Sequence, residues 1–179
     1  MVFINDAWNN TGDIVVYSNY HKYWLDKERT QKNPLFDVFS GKILDLKEGK
    51  ESAVEYFYNL IDAEIRKEVT ICVVPSSNME RKESGIGKLG EKLAQNGRVD
   101  KVYFLTREKS ISKLATGGAR DKQIHMESIG TVEEMEIKGD IVLLMDDVTT
   151  TGNSLYACRD ILLARGAGKV EMFALGKAI

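Results

Sequence analysis

Hydrophobic residues along the chain fall into short apolar runs that alternate with stretches of helical periodicity. An unbroken apolar run, such as the one at residues 141–145, is typical of a strand buried on both faces of a parallel sheet. Strands are predicted at residues 69–74, 102–105, 141–145 and 170–175. Apolar residues spaced three and four apart predict helices over residues 52–67, 85–96 and 154–165. This alternation predicts right-handed β-α-β units, and therefore an α/β fold with a parallel sheet.

The first fifty residues are less regular than the rest of the chain. Apolar residues predict a strand at residues 13–17, and alternating character predicts another at residues 41–47. A later segment, residues 106–139, has few apolar repeats, and so long an irregular stretch is typical of a functional loop or lid. The chain contains no repeat, linker or low-complexity tract, so a single domain over residues 1–179 is predicted.

Charge and cysteine content narrow the class of protein. The chain has 179 residues and a formal net charge of −2, which gives no sign of a nucleic acid or an anionic membrane as partner. Cys72 and Cys158 lie in apolar segments without metal-binding spacing, so we expect buried free thiols in a reducing compartment. The N-terminus does not resemble a signal peptide, and no apolar run approaches the ~20 residues that cross a bilayer. A cytoplasmic protein is expected.

The segment richest in chemistry follows the predicted strand at residues 141–145. Two carboxylates, Asp146 and Asp147, come directly after it, and a loop of hydroxyls around Gly152 leads into a predicted helix. Backbone N–H groups and the dipole at a helix N-terminus favour a phosphate group. Carboxylates beside that phosphate accept hydrogen bonds from vicinal hydroxyls or bind Mg²⁺. The sequence therefore predicts a site for a ribose 5-phosphate.

Residues 142–154 resemble the phosphoribosyl-pyrophosphate motif of type I phosphoribosyltransferases, in which a strand, two acids and a Thr/Gly loop coincide. The resemblance implies a three-layer fold around a parallel sheet, with residues 51–179 as the α/β core and residues 1–50 as a small N-terminal hood. It implies that Asp146 and Asp147 hold the ribose hydroxyls, bind Mg²⁺ and act in catalysis. The implied phosphate-binding loop comprises Val148, Thr149, Thr150, Thr151, Gly152, Asn153 and Ser154.

Two further segments extend the resemblance. In the family, a loop after an earlier parallel strand holds the pyrophosphate, and its implied counterpart comprises Pro75, Ser76, Ser77 and Asn78. A mobile loop of the family closes over the diphosphate, and residues 106–139 stand in its place. The candidate cations there are Arg107, Lys109, Lys113 and Arg120. Of these, Arg107 is expected to act in catalysis, and Lys109 and Arg120 to bind substrate. The layout is most similar to that of ComF-like competence proteins.

The reaction implied by the resemblance is a Mg²⁺-dependent displacement at the anomeric carbon of phosphoribosyl pyrophosphate. A small base or amine replaces pyrophosphate, while the protein positions the reactants and stabilises charge on the leaving group. The alternative is a regulator that binds phosphoribosyl pyrophosphate without turnover, because residues 76–78 depart from the usual pyrophosphate loop. The family also implies a homodimer.

The sequence leaves the acceptor open. Where 6-oxopurine enzymes carry an Asp that serves the base, this chain has Thr150, which argues against hypoxanthine and guanine as acceptors. Aromatic residues of the N-terminal part either stack on a planar base or pack a small irregular subdomain. They are Tyr20, Tyr23, Trp24 and Phe36.

A second glycine pattern, Gly85-x-Gly87-x-x-Gly90, has the spacing of a dinucleotide-binding loop. That fingerprint needs its first glycine directly at the end of a strand, whereas Gly85 lies ten residues beyond Pro75. We therefore interpret these glycines as the start of a helix packed closely against the sheet. The sequence has no GxxxxGK[ST] phosphate loop. An acid pair also occurs in receiver domains, which need in addition a phosphorylatable Asp on a different strand and a Lys near the end of the chain, and Lys177 alone does not support that assignment.

Overall fold

A computed structural model describes residues 1–9, 12–78, 83–109 and 122–179 of the chain. Its main sheet has five strands, all parallel, in the order β1-β7-β6-β2-β3. These strands are β1 (Ile14–Tyr20), β2 (Thr70–Val73), β3 (Val99–Asp100), β6 (Ile141–Thr149) and β7 (Lys169–Ala178). Two short strands, β4 (Leu105–Arg107) and β5 (Ile129–Thr131), form a separate antiparallel pair. The predicted α/β fold with a parallel sheet is confirmed.

Helices cover both faces of the main sheet. They are α1 (Asp6–Asn9), α2 (Val38–Lys47), α3 (Glu51–Ile61), α4 (Gly85–Ala94), α5 (Lys122–Ser128) and α6 (Asn153–Ala164), with a 3₁₀ turn at Asp62–Glu64. Successive side chains of β6 point to opposite faces, so Leu143 and Met145 pack in the core beneath α2, α3 and α4. Val142 and Leu144 pack in the other core, beneath α6. The central strand is therefore buried on both faces, as its unbroken apolar run predicts.

The predicted strand at residues 41–47 is wrong, because this segment is helix α2. Asp37 caps its N-terminus: the Asp37 Oδ1 atom accepts a hydrogen bond from the Ser40 backbone N–H at 2.7 Å. Ile43 and Leu46, three residues apart, are fully buried on the face that packs into the core. The helical spacing of these two residues, together with the cap, overrides the local alternation of apolar and polar positions.

The predicted strand at residues 102–105 is also wrong in its placement. Val102 and Phe104 are buried as expected, but they lie in a turn between β3 and β4. The turn is fixed by a hydrogen bond from the Phe104 backbone N–H to the Lys101 carbonyl at 3.0 Å. The sheet edge here is the two-residue strand β3, which is too short to leave a pattern of its own in the sequence.

Close packing explains the glycine pattern at the start of α4. The helix begins at Gly85, and the Ser84 hydroxyl caps it by accepting from the Gly87 N–H at 3.1 Å. A Cβ atom on Gly90 would lie 3.1 to 3.4 Å from side chains of Val102, Val73 and Ile71. The interpretation of these glycines as a helix packed against the sheet is confirmed.

Parallel strands bring their carboxyl ends to one edge of the sheet. The end of β1 pairs with the end of β7, at Tyr20 and Ala178. The acid pair lies near the end of β6, and the chain leaves β2 there through Pro75. The acid pair with its loop and the loop of residues 75–78 therefore both lie at this edge. No helix in the described part of the chain is long and apolar enough to cross a membrane.

Candidate functional site at the carboxyl edge of the sheet

The two adjacent carboxylates of β6 have different surroundings. Asp147 Oδ1 forms an ion pair with Lys47 Nζ at the end of α2, at 3.2 Å. Asp146 lies instead near the positive charge of Arg107 and near the Cys158 thiol. The Asp147 backbone N–H donates to Asp146 Oδ1 at 2.9 Å, which fixes the Asp146 carboxyl beside its neighbour. The two carboxylates therefore present oxygen atoms on both sides of the main sheet, near its carboxyl edge.

Burial makes the Asp146 carboxyl unusual. Loss of solvent, and secondly the charge of Asp147, raise its pKa from 3.8 to about 8, against the opposing effect of the Asp147 backbone N–H, Lys47 and Arg107. The same burial raises the pKa of the Cys158 thiol, which with Cys72 is a buried free thiol as predicted. An ionised Asp146 therefore needs more positive charge than the described side chains supply.

The donor chemistry of this pair fits Mg²⁺. Mg²⁺ prefers carboxylate oxygens, and it commonly takes one or two carboxylates together with substrate phosphates and water. No group of three His, Cys, Asp or Glu side chains that could hold a metal ion is found among the described residues. Asp146 and Asp147 would therefore hold the ion jointly with a phosphorylated substrate.

The loop after the acid pair presents the N-terminus of α6. Gly152 precedes the helix in the left-handed conformation, with φ of +83°, and has no side chain to cap it, while the Thr151 hydroxyl accepts from the Asn153 N–H at 3.5 Å. A Cβ atom at Gly152 would lie 2.6 Å from Ile14 Cδ1 and 2.9 Å from Tyr156 Cε2, so only glycine fits. Thr149 is buried, whereas Thr150 and Thr151 are exposed. The N-terminus of this twelve-residue helix, where Gly152 supplies no capping side chain, suits a phosphate group.

The loop after β2 lies beside the acid pair because β2 is the sheet neighbour of β6. Arg107 fixes this loop: its Nε donates to the Ser76 carbonyl at 3.0 Å, and its Nη2 donates to the Pro75 carbonyl at 3.2 Å. Ser77 and Asn78 are exposed at the tip. Burial lowers the pKa of Arg107, although the nearby Asp146 carboxyl opposes this. Arg107 is thus placed between the predicted diphosphate loop and the acid pair.

A pocket of about 480 Å³ lies beside the same loop. Its walls are mostly apolar, with two carboxylates and the guanidinium of Arg107 among them. It is lined by Val73, Pro75, Ser76, Asn78, Glu83, Ser84, Glu91, Tyr103, Leu105, Thr106, Arg107 and Val132. Burial raises the pKa of Tyr103 to about 12, with Glu91 adding to the effect. Four of the predicted substrate-binding or catalytic residues therefore share one cavity.

Other predicted residues are less clearly placed. The Lys109 side chain is exposed, and Arg120 and Lys113 lie outside the described residues. Tyr23 packs edge-to-face on Trp24 and Phe36, with ring centroids 4.8 and 4.9 Å apart. These three rings pack on one another in a small cluster, which agrees with a role in packing the N-terminal part rather than in stacking on a base. Tyr20 differs from them, because it lies buried at the end of β1.

Three residues of the site were not identified from the sequence. Lys47 pairs with Asp147, and its ammonium group also lies 5.7 Å from the centroid of the Tyr20 ring. His125 and Ser128 are buried on α5, next to the loops that are predicted to bind phosphate. The N-cap at Asp37 was the available signal for Lys47, because it turns residues 38–47 into a helix. Neither buried residue of α5 belongs to a recognisable motif.

Comparison with known proteins gave likenesses of structure only. No protein-family model matches the chain, and no curated protein matches its sequence. An HPRT with an invariant aspartic acid changed to asparagine is 14% identical, covering 78% of this chain and 67% of that one, with a TM-score of 0.41. Hypoxanthine phosphoribosyltransferase from Trypanosoma cruzi is 14% identical over 78% of this chain and 66% of that one, with a TM-score of 0.39. The Staphylococcus aureus enzyme is 11% identical over 76% and 74%, with a TM-score of 0.40.

Proposed function

We propose that the chain is a Mg²⁺-dependent type I phosphoribosyltransferase, which transfers phosphoribosyl from phosphoribosyl pyrophosphate to a base or amine and releases pyrophosphate. The observation that carries the proposal is the acid pair near the end of β6, followed within six residues by the N-terminus of α6, where Gly152 supplies no capping side chain. A diol and a phosphate on the same small molecule are the groups that these elements suit. We further propose a single cytoplasmic domain that forms a homodimer.

Each half of the donor has its own proposed place. The 5-phosphate binds the loop of residues 148–154, where backbone N–H groups and hydroxyls are available. The ribose hydroxyls donate to Asp146 and Asp147. The diphosphate lies over residues 75–78, with Arg107 and Lys109 as candidate cations. When bound, Mg²⁺ would neutralise charge on the leaving diphosphate.

The proposed acceptor is not a 6-oxopurine. Hypoxanthine is the substrate named for two of the similar structures, but Thr150 stands in this chain where those enzymes' class carries an acidic residue. Thr150 is exposed at the edge of the site and has no charge with which to serve a purine ring. We therefore leave the acceptor as a base or amine that does not require this carboxylate.

A regulator that binds phosphoribosyl pyrophosphate without turnover is the second candidate. It is favoured by the engagement of Arg107, which donates to two backbone carbonyls and to the Ser128 hydroxyl. A guanidinium held in this way supports the diphosphate loop, and it has fewer donors left to stabilise a leaving group. Ser76, Ser77 and Asn78 also supply no charge of their own.

Turnover separates the two candidates. The purified chain is incubated with Mg²⁺, phosphoribosyl pyrophosphate and a panel of purine bases, pyrimidine bases and amines, and pyrophosphate release is measured. A transferase releases pyrophosphate with at least one acceptor, and Asp146→Asn abolishes that release, whereas Asp45→Asn on the exposed side of α2 does not. Binding without release across the panel supports the regulator. Absence of binding overturns both.

A further inference from the structure

We propose that His125 is a positioning residue that couples the phosphate loop before α6 to the diphosphate loop at residues 75–78. The inference rests on the proposed function, because it assigns the two loops to the two ends of one donor. His125 lies on α5, a helix that packs against α6. The imidazole contacts neither the 5-phosphate nor the diphosphate, and it acts through neighbouring residues.

The first link joins α6 to α5. Ser154, the second residue of α6, has its Oγ atom 3.3 Å from His125 Nε2. His125 is only 5% exposed, so its ring is held in a largely water-free site. Ser154 also belongs to the loop proposed to bind the 5-phosphate. Its hydroxyl can therefore serve a bound phosphate and the buried imidazole at the same time, once as donor and once as acceptor.

The second link joins α5 to the diphosphate loop. Ser128, also buried on α5, donates its hydroxyl to the His125 carbonyl at 3.1 Å and accepts from Arg107 Nη1 at 2.6 Å. The remaining contacts of Arg107 are the carbonyls of Pro75 and Ser76. The path from the start of α6 to the loop after β2 thus passes through residue His125, whose ring contacts Ser154 and whose backbone carbonyl accepts from Ser128.

His125 and Ser128 are buried, and their contacts with Ser154 and Arg107 are partly buried. A buried polar group that loses its partner costs far more than an exposed one, because water does not replace the lost bond. A phosphate that accepts a hydrogen bond from Ser154 leaves the Ser154 oxygen to accept from His125 Nε2–H. This fixes the imidazole and with it the position of this turn of α5, whose His125 carbonyl orients Ser128 and, through Ser128, Arg107. Ribose 5-phosphate should therefore favour the conformation of residues 75–78 that binds pyrophosphate, and pyrophosphate should favour ribose 5-phosphate equally.

The test measures the coupling between the two halves of the donor. Calorimetry gives the dissociation constant of pyrophosphate with Mg²⁺, alone and with saturating ribose 5-phosphate. In the wild-type protein, ribose 5-phosphate should tighten pyrophosphate binding about fivefold or more, the lower end of ordinary coupling. In His125→Leu the ratio should fall to near one while each ligand alone binds within about threefold of wild type. In His125→Gln, whose amide reaches toward Ser154, most of the coupling should return.

Lys122→Ala is the matched control on the same helix. Lys122 forms an ion pair with Asp160 of α6, but it is 37% exposed and outside the buried chain of contacts. This variant should keep the wild-type coupling, which would show that loosening the contact between α5 and α6 does not by itself abolish the coupling. If His125→Leu does not fold by circular dichroism, Ser154→Ala removes the same contact from the other side, and its coupling ratio should also fall to near one.

The outcomes are distinct. Wild-type coupling in His125→Leu, or no coupling in the wild-type protein, overturns the role of His125 while leaving the transferase proposal intact. Failure of the wild-type protein to bind either ligand overturns the proposed function, and the coupling with it.

Discussion

Replacement of Asp146 by Asn should stabilise the folded protein in a way that depends on pH. Asp146 is partly buried near the end of β6, where loss of solvent first and Asp147 second raise its pKa from 3.8 to about 8. Its Oδ1 atom accepts the Asp147 backbone N–H, and an asparagine Oδ1 can keep that bond. The substitution therefore removes a buried charge with little change of shape.

The raised pKa determines the sign and the size of the change in unfolding free energy. Between about pH 4 and pH 8 the folded protein binds more protons at Asp146 than the unfolded chain does, so its unfolding free energy falls as pH rises. One pKa unit corresponds to about 1.4 kcal/mol, which sets an upper bound of about 6 kcal/mol above pH 8. Structural relaxation and water penetration reduce such penalties. We expect Asp146→Asn to gain about 2 kcal/mol at pH 8 and close to nothing at pH 4.5.

Urea denaturation followed by circular dichroism at pH 4.5, 6.5 and 8 measures this difference. Asp45→Asn is the control, because the hydrogen bond from Lys50 lowers the pKa of Asp45 and its removal should give no gain at pH 8. A gain in Asp146→Asn that is equal at all three pH values would refute the buried-charge explanation. A loss of stability at pH 8 would refute it more strongly.

Three further substitutions test the remaining parts of the site. Gly152→Ala should lower the unfolding free energy by about 2–4 kcal/mol, from the positive φ and the contact with Ile14, seen as a fall of about 5–12 °C in Tm; an unchanged Tm would contradict the geometry. Lys47→Gln should change the unfolding free energy in urea by less than about 1 kcal/mol, because its ion pair with Asp147 is partly exposed; a loss of several kcal/mol would show a buried pair. Arg107→Lys should lower the unfolding free energy by about 2 kcal/mol and weaken pyrophosphate binding in calorimetry, because an ammonium group cannot serve three acceptors in one plane. Wild-type affinity for pyrophosphate would show that residues 75–78 do not depend on Arg107.

The sequence predicts best those elements in which local pattern and tertiary burial agree. Strand β2 and residues 142–145 of β6 are mostly apolar and are buried on both faces, and α6 combines a periodic apolar face with a clear start at Gly152. For these segments the side chains alone indicate the environment. The position of the acid pair at the sheet edge follows directly, because it comes at the end of a strand that only a parallel sheet buries in this way.

The errors come from segments in which tertiary contacts decide the structure. Residues 41–47 alternate like a strand, but the Asp37 cap and the packing of Ile43 and Leu46 make them a helix. That error also hid Lys47, which reaches Asp147 only from the last turn of α2. His125 enters the site through the packing of α5 on α6. Contacts between elements distant in the chain leave no periodic signal in either one.

The central claim is that Asp146 and Asp147 bind the ribose of phosphoribosyl pyrophosphate together with Mg²⁺. Calorimetric titration of phosphoribosyl pyrophosphate, with and without Mg²⁺, tests it most directly in the wild-type protein and in the double variant Asp146→Asn, Asp147→Asn. We predict saturable, Mg²⁺-dependent binding to the wild-type protein and a dissociation constant raised about 100-fold or more in the folded double variant, since several charge-assisted contacts are lost at once. An unchanged dissociation constant in the double variant would show that this edge of the sheet is not the donor site.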